Sequence, residues 1–140
     1  MTESSIELFT ELHVDGLVAL VAAEGWREYS IDIERTCRAL SAPGVTTLVA
    51  IEDGQVVGAI QVQSDGLIQA HVSMLLIERN WRGRRLGTRL LREGLERAGG
   101  VRLDIRTRTE GYYERLGASR SLGYRLTRED LGLETTPPVQ

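Results

Sequence analysis

A chain of 140 residues, 41% hydrophobic and 26% charged, is long enough to bury one proper core and argues against a second domain. Its formal charge of -3 excludes the overall basic excess typical of a general nucleic-acid or membrane-surface binder. The lone cysteine, Cys37, excludes an internal disulfide and a zinc site built from paired thiolates.

The first residues, Met1 to Ser5, lack a basic stretch leading into an apolar core, and no apolar run reaches membrane-spanning length, so a soluble cytoplasmic protein is expected. Residues 6–9 read as a short strand. An apolar helical pattern begins at Asp15, runs through Leu17, Leu20 and Val21, and stops near Gly25. After the polar-aromatic run Gly25-Trp26-Arg27-Glu28-Tyr29, a second helix extends from about Ile31 or Asp32 to Leu40 and ends at Ala42-Pro43-Gly44. His13 reads as a cap or surface residue, and Cys37 as a small buried hydrophobe within the second helix.

Residues 46–51 and 56–63 form a hairpin around Asp53-Gly54. Ser64-Asp65-Gly66 makes the next turn, and residues 68–77 return as a third antiparallel strand. A helix over residues 84–98 carries Leu86, Leu90, Leu91 and Leu95 on one face and is stopped by Gly99-Gly100. Alternation at Val101, Leu103 and Ile105 predicts a strand parallel to the one before that helix, as a βαβ unit requires. Residues 110–116 read as a short helix and residues 123–127 as a terminal strand. Residues 1–130 are expected to form the single domain, followed by a flexible tail over 131–140.

The junction Trp81-Arg82-Gly83-Arg84-Arg85-Leu86-Gly87-Thr88 carries most of the functional information. A helix start offers unpaired N–H groups and partial positive charge, glycines admit ligand oxygens closely, and arginines add charge-assisted hydrogen bonds. Arg79, Arg82, Arg84, Arg85, Arg89, Arg92 and Arg97 concentrate there in an otherwise acidic chain, which suits one polyanionic ligand better than a duplex. The P-loop lysine-hydroxyl pair and the G-x-G-x-x-G dinucleotide fingerprint are both absent.

This junction resembles motif A of the GNAT superfamily of acyl-CoA-dependent N-acetyltransferases, [Q/R]-x-x-G-x-[G/A]. Arg82 and Gly87 match, and Arg85 stands where the family usually has its central glycine. Tyr112-Tyr113-Glu114-Arg115-Leu116-Gly117 is similar to the family's second aromatic segment, with Ala118 where an aromatic usually follows. The blocks Leu17-Val18-Ala19-Leu20, Ala42-Pro43-Gly44-Val45-Thr46-Thr47 and Gln69-Ala70-His71 resemble small actinobacterial-type members. The resemblance covers residues 4–128 and implies an α/β GNAT fold: a mixed central sheet with flanking helices, splayed between the strands before and after the motif A helix.

It further implies acetyl-CoA as co-substrate and no metal. The pantetheine arm would pair with the backbone at Leu75, Leu76 and Ile77, and the pyrophosphate would rest on Arg82, Gly83, Arg84, Arg85, Leu86, Gly87 and Thr88. Tyr113 is implied as the acid that protonates the departing thiolate, since a phenol with a pKa of about 10 holds its proton at neutral pH. His71 corresponds to one of two histidines in the arylalkylamine N-acetyltransferases and is the candidate base; Ser73 stands in place of the other. Trp26, Glu28 and Tyr29 fall in the family's acceptor-selecting segment, with Asp32 a further carboxylate for a cationic amine.

The implied acceptor is a small-molecule or peptide amine, with homodimers common among similar proteins. A non-catalytic acyl-CoA sensor and a toxin-like acetyltransferase acting on charged tRNA are the alternatives.

Overall fold

The computed structural model describes residues 4–135 and contains two compact units, residues 4–105 and residues 106–135. In the first unit, strands β1 (Ser5–Leu8), β2 (Val45–Glu52), β3 (Gln55–Ser64), β4 (Gln69–Ile77) and β5 (Arg102–Ile105) form one sheet in the order β1-β2-β3-β4-β5. Every neighbouring pair is antiparallel except β4 and β5, which run parallel. Helices α1 (Val14–Ala23) and α2 (Ile33–Leu40) precede the hairpin, and α3 (Leu86–Ala98) is the crossover between β4 and β5.

Local chemistry accounts for each turn. Asp53 and Gly54 both take positive φ, 49° and 76°, as a two-residue hairpin with right-twisted strands demands. Asp65 closes the next turn by accepting the N–H groups of Leu67 and Ile68 at 2.7 Å each, and those donors hold its carboxyl below the usual range. Asp32 caps α2 by accepting the Arg35 N–H at 3.1 Å. His13 Nδ1 accepts the Thr10 N–H at 2.9 Å, the capping role its position suggested.

The sheet buries both faces. On one, Leu17, Leu20, Val21 and Leu40 of α1 and α2 pack on Val49, Ala59, Met74 and Leu76. On the other lies α3, whose Leu86, Leu90, Leu91 and Gly94 are buried. Gly94 permits a close approach, because a β-carbon there would lie 3.2 Å from Val62 and 3.3 Å from Ile60.

The second unit holds α4 (Tyr112–Arg115), where the Gly111 N–H donates to the Glu114 carboxylate at 2.5 Å, and a 3-10 turn at Glu129–Leu131. The strand expected over residues 123–127 is corrected here: the segment is irregular and joins no ladder. Alternation at Leu122, Tyr124 and Leu126 imitates a strand, but a strand exists only when its polar backbone finds an edge. The Thr127 N–H is taken instead by Asp130, which opens the following turn. Of the expected tail, residues 136–140 lie outside the described residues.

Candidate active site

The parallel ladder between β4 and β5 covers four residues on each side: Gln69, Ala70, His71 and Val72 face Arg102, Leu103, Asp104 and Ile105. Residues 73–77 of β4 continue past Ile105, where β5 ends, so this edge of β4 has no strand partner beyond Val72, and that open end of the ladder is the fork. On its other edge β4 stays paired to β3, but the register slips by one between Gln61 and Val62, which leaves Ser73 as the extra residue of a β-bulge. Bulges bend a strand and increase its twist, and this one falls directly after the last β4 residue that β5 pairs.

The bulge also exchanges the two faces of β4. Before it, Val72 pairs with Val62, which packs on α3; after it, Met74 and Leu76 belong to the α1 cluster while Leu75 pairs with Ile60 on the α3 side. Of the backbone groups of residues 75–77 that face away from β3, the Ile77 carbonyl accepts from Arg82 Nε, and none has a β5 partner.

Beyond Ile77 the chain turns tightly. Glu78 caps a 3-10 turn, Arg79–Trp81, by accepting the Asn80 N–H at 3.0 Å. Arg82 holds the loop in place: its Nε donates to the Ile77 carbonyl at 3.1 Å and its Nη2 reaches Glu24 at 2.9 Å. Arg84 stacks over Trp81, its guanidinium carbon 4.5 Å from the ring centroid. Gly83 and Arg85 then take φ of 77° and 62°, and the Arg85 carbonyl receives the first helical bond from Arg89. Arg85 therefore occupies the left-handed conformation that glycine favours, at the residue preceding α3. Leu86 and Gly87 begin the helix, where backbone N–H groups have no intrahelical acceptor and the helix dipole favours an anion.

The site thus joins the unpaired edge of β4, through a left-handed turn, to the start of α3. The model of the acetyltransferase (GNAT) family matches residues 6–118.

The chain belongs to the GNAT acetyltransferase family. Three solved structures share its GNAT fold, each over most of both chains. An acetyltransferase from Trypanosoma brucei is 15% identical at a TM-score of 0.73, covering 89% of this chain and 99% of its own. A transcriptional regulator from Bacillus halodurans is 20% identical at 0.75, with 88% and 98% covered. A ribosomal-protein-alanine N-acetyltransferase from Brucella melitensis is 18% identical at 0.71, with 91% and 99% covered. No curated protein matches the sequence.

Other residues singled out in the sequence are distributed over this GNAT chain as follows. His71 lies on β4, opposite Gln63 on β3 and Asp104 on β5, two residues before the bulge. Trp26 and Tyr29 stack at 5.9 Å and pack against the α1 cluster; the Tyr29 hydroxyl donates to Gln61 Oε1 at 2.8 Å. Glu28 is exposed in the 3-10 turn Arg27–Tyr29. Asp32 is engaged as a helix cap and pairs with Arg35 at 3.6 Å, which accounts for its charge structurally.

Tyr113 belongs to the second unit, where its ring meets Tyr112 edge-on at 4.9 Å. Burial, and to a lesser degree Tyr112, pushes its phenol up to about 12. A groove of about 410 Å³ runs along α1, lined by Leu12, His13, Gly16, Val56 and Glu78 among others; His13 and Glu78 both serve there as caps of 3-10 turns.

Sequence reasoning missed the bulge at Ser73. It also missed the polar residues Gln63, Gln69 and Asp104 around the fork. Gln63 Nε2 donates to Ser73 Oγ at 2.7 Å, and Gln69 Nε2 donates to Asp104 Oδ2 at 2.6 Å.

Proposed function

We propose that this GNAT protein transfers an acetyl group from acetyl-CoA directly to an amine, with both substrates bound together. The observation that carries the reading is the β4 edge left unpaired after Val72, continuous through residues 73–77 with the left-handed turn at Gly83 and Arg85 and the start of α3. Acetyl-CoA brings an activated acyl group on sulfur; the protein supplies shape, hydrogen bonds and proton handling.

Leu75, Leu76 and Ile77 offer main-chain donors and acceptors to the amides of the pantetheine arm, and one N–H there polarises the thioester carbonyl. The diphosphate is held by backbone N–H groups from Gly83 to Thr88, with Arg84 and Arg85 adding charge. His71 takes the proton of the incoming ammonium, and Tyr113 gives its proton to the departing thiolate. A phenol held up to about 12 stays protonated across the working range. Trp26, Glu28 and Tyr29 border the acceptor. Residues 1–130 act as one functional domain in this reading, set in a cytoplasmic homodimer.

Thiol release from acetyl-CoA across a panel of small amines, peptides and aminoacyl-tRNA tests the reading. Turnover of an amine supports it. Saturable acetyl-CoA binding without turnover of any acceptor replaces it with an acyl-CoA sensor.

A further inference from the structure

One face of the sheet changes character along its length. Where α1 and α2 cover it, the residues are Val49, Ala59, Met74 and Leu76. Farther along the same face stand Gln63, Gln69, His71, Arg102 and Asp104, because paired residues in adjacent strands share a face and Gln63 lies two positions beyond Gln61, which meets Tyr29. Val72 and Ile105, the last pair before the fork, lie on the opposite face. His71 and Asp104 are therefore the pair nearest the fork on the polar face.

The side chains on this face are held in a defined order. Arg102 Nε donates to Gln69 Oε1, and Gln69 Nε2 donates to Asp104 Oδ2 at 2.6 Å. That order admits one orientation of the amide: a guanidinium only donates and a carboxylate only accepts, so the Gln69 oxygen must face Arg102 and its NH₂ must face Asp104. The consequence is electrostatic. Arg102 and Asp104 are two apart on one strand face, and Gln69 bonds to both. Among the described residues Asp104 enters no ion pair, so its full negative charge stays oriented and available beside His71.

We propose that Asp104 is a binding carboxylate for the acceptor, and that the acceptor class is an amine carrying a second cationic group, such as an aliphatic diamine. The inference rests on the acetyl-transfer reading above and names its substrate class. One ammonium loses its proton toward His71 and is acetylated at the fork; the other stays charged and is held by Asp104. Gln69 is a positioning residue, since it acts only by fixing Asp104 and keeping Arg102 from it.

The test measures binding and turnover separately. In the CoA-loaded protein, 1,4-diaminobutane and 4-aminobutanoate are titrated while backbone amide shifts are followed by NMR. The wild type is expected to bind the diamine at least about tenfold more tightly than Asp104→Asn does, a difference of about 1.4 kcal/mol. Asp104→Lys should reverse the preference toward 4-aminobutanoate. Gln69→Leu should weaken diamine binding about threefold while leaving Asp104 in place.

Equal diamine affinity in the wild type and Asp104→Asn, or no diamine binding to the wild type, overturns the proposal. Diamine binding that depends on Asp104 without thiol release from acetyl-CoA keeps the carboxylate site and rejects the transferase reading. Thiol release whose acceptor KM ignores Asp104→Asn keeps the transferase and rejects the carboxylate.

Discussion

Val72 and Ile105 are the last paired residues between β4 and β5, and the residue after Val72 is the bulged Ser73. The end of β5 and the irregularity within β4 thus coincide. Beyond that point β4 has no β5 partner; before it stand His71 and Asp104. Everything proposed for acyl transfer is organised about this point.

Arg85→Gly should stabilise the protein. A non-glycine residue at φ 62° carries about 1–2 kcal/mol of steric penalty, against which glycine loses about 0.5–1 kcal/mol more backbone entropy on folding. The net gain is about 0.5–1 kcal/mol, to be read from the urea midpoint at unchanged slope. A lower midpoint would mean that the arginine side chain contributes more than its backbone strain removes.

Gly99→Ala should do the reverse. Gly99 sits at φ 77° and ψ -176°, and a β-carbon there would lie 2.7 Å from the Gly66 carbonyl oxygen, a backbone atom that cannot swing aside. About 2–4 kcal/mol of destabilisation is expected by chemical denaturation, together with a weaker grip on acyl-CoA as α3 and β5 shift apart. Wild-type stability in this variant would contradict the packing described.

Tyr29→Phe removes the donor to Gln61, a buried side chain whose Oε1 would then lose that partner. The expected loss is about 1–2 kcal/mol. The same variant weighs Tyr29 as an acceptor wall: a raised acceptor KM beyond what stability explains supports that role, and an unchanged KM removes it.

Tyr113 makes a pH prediction. Its phenol is pushed up to about 12 when folded and ionises at about 10 when unfolded. Its contribution to stability is therefore full below pH 10 and lost as pH rises through 10 toward 12. Ultraviolet titration should find a phenol ionising at about pH 12, and Tyr113→Phe should delete that phase. The same variant should lower kcat with acetyl-CoA affinity kept; unchanged kcat would remove Tyr113 as the acid.

Much of the fold was legible because its signals are local. Asp53-Gly54 announces a hairpin by the positive φ both residues adopt, and Gly99-Gly100 announces the end of α3. The bulge was hidden for a physical reason: Ala70, Val72, Met74 and Leu76 are all buried at strict alternation, yet the first two face α3 and the last two face α1. Period-two reading cannot detect an exchange of faces when both faces are buried.

Residues 123–127 misled in the opposite sense, since Leu122, Tyr124 and Leu126 alternate without an edge to join. Within the candidate site, the glycine-arginine junction was readable from residue types. Asp104 was not, because its role depends on which strand lies beside it and on Gln69 holding Arg102 away.

The most direct test of the central claim is the amide-resolved titration of the protein with acetyl-CoA. Saturable shifts confined to residues 73–77 and 83–88, much weaker with ATP, are predicted. The chain contains no lysine, so acetylation detected in such a mixture with added amine cannot arise on its own side-chain amines. Shifts absent from both segments, or reproduced in full by ATP, would contradict an acyl-CoA site at the fork.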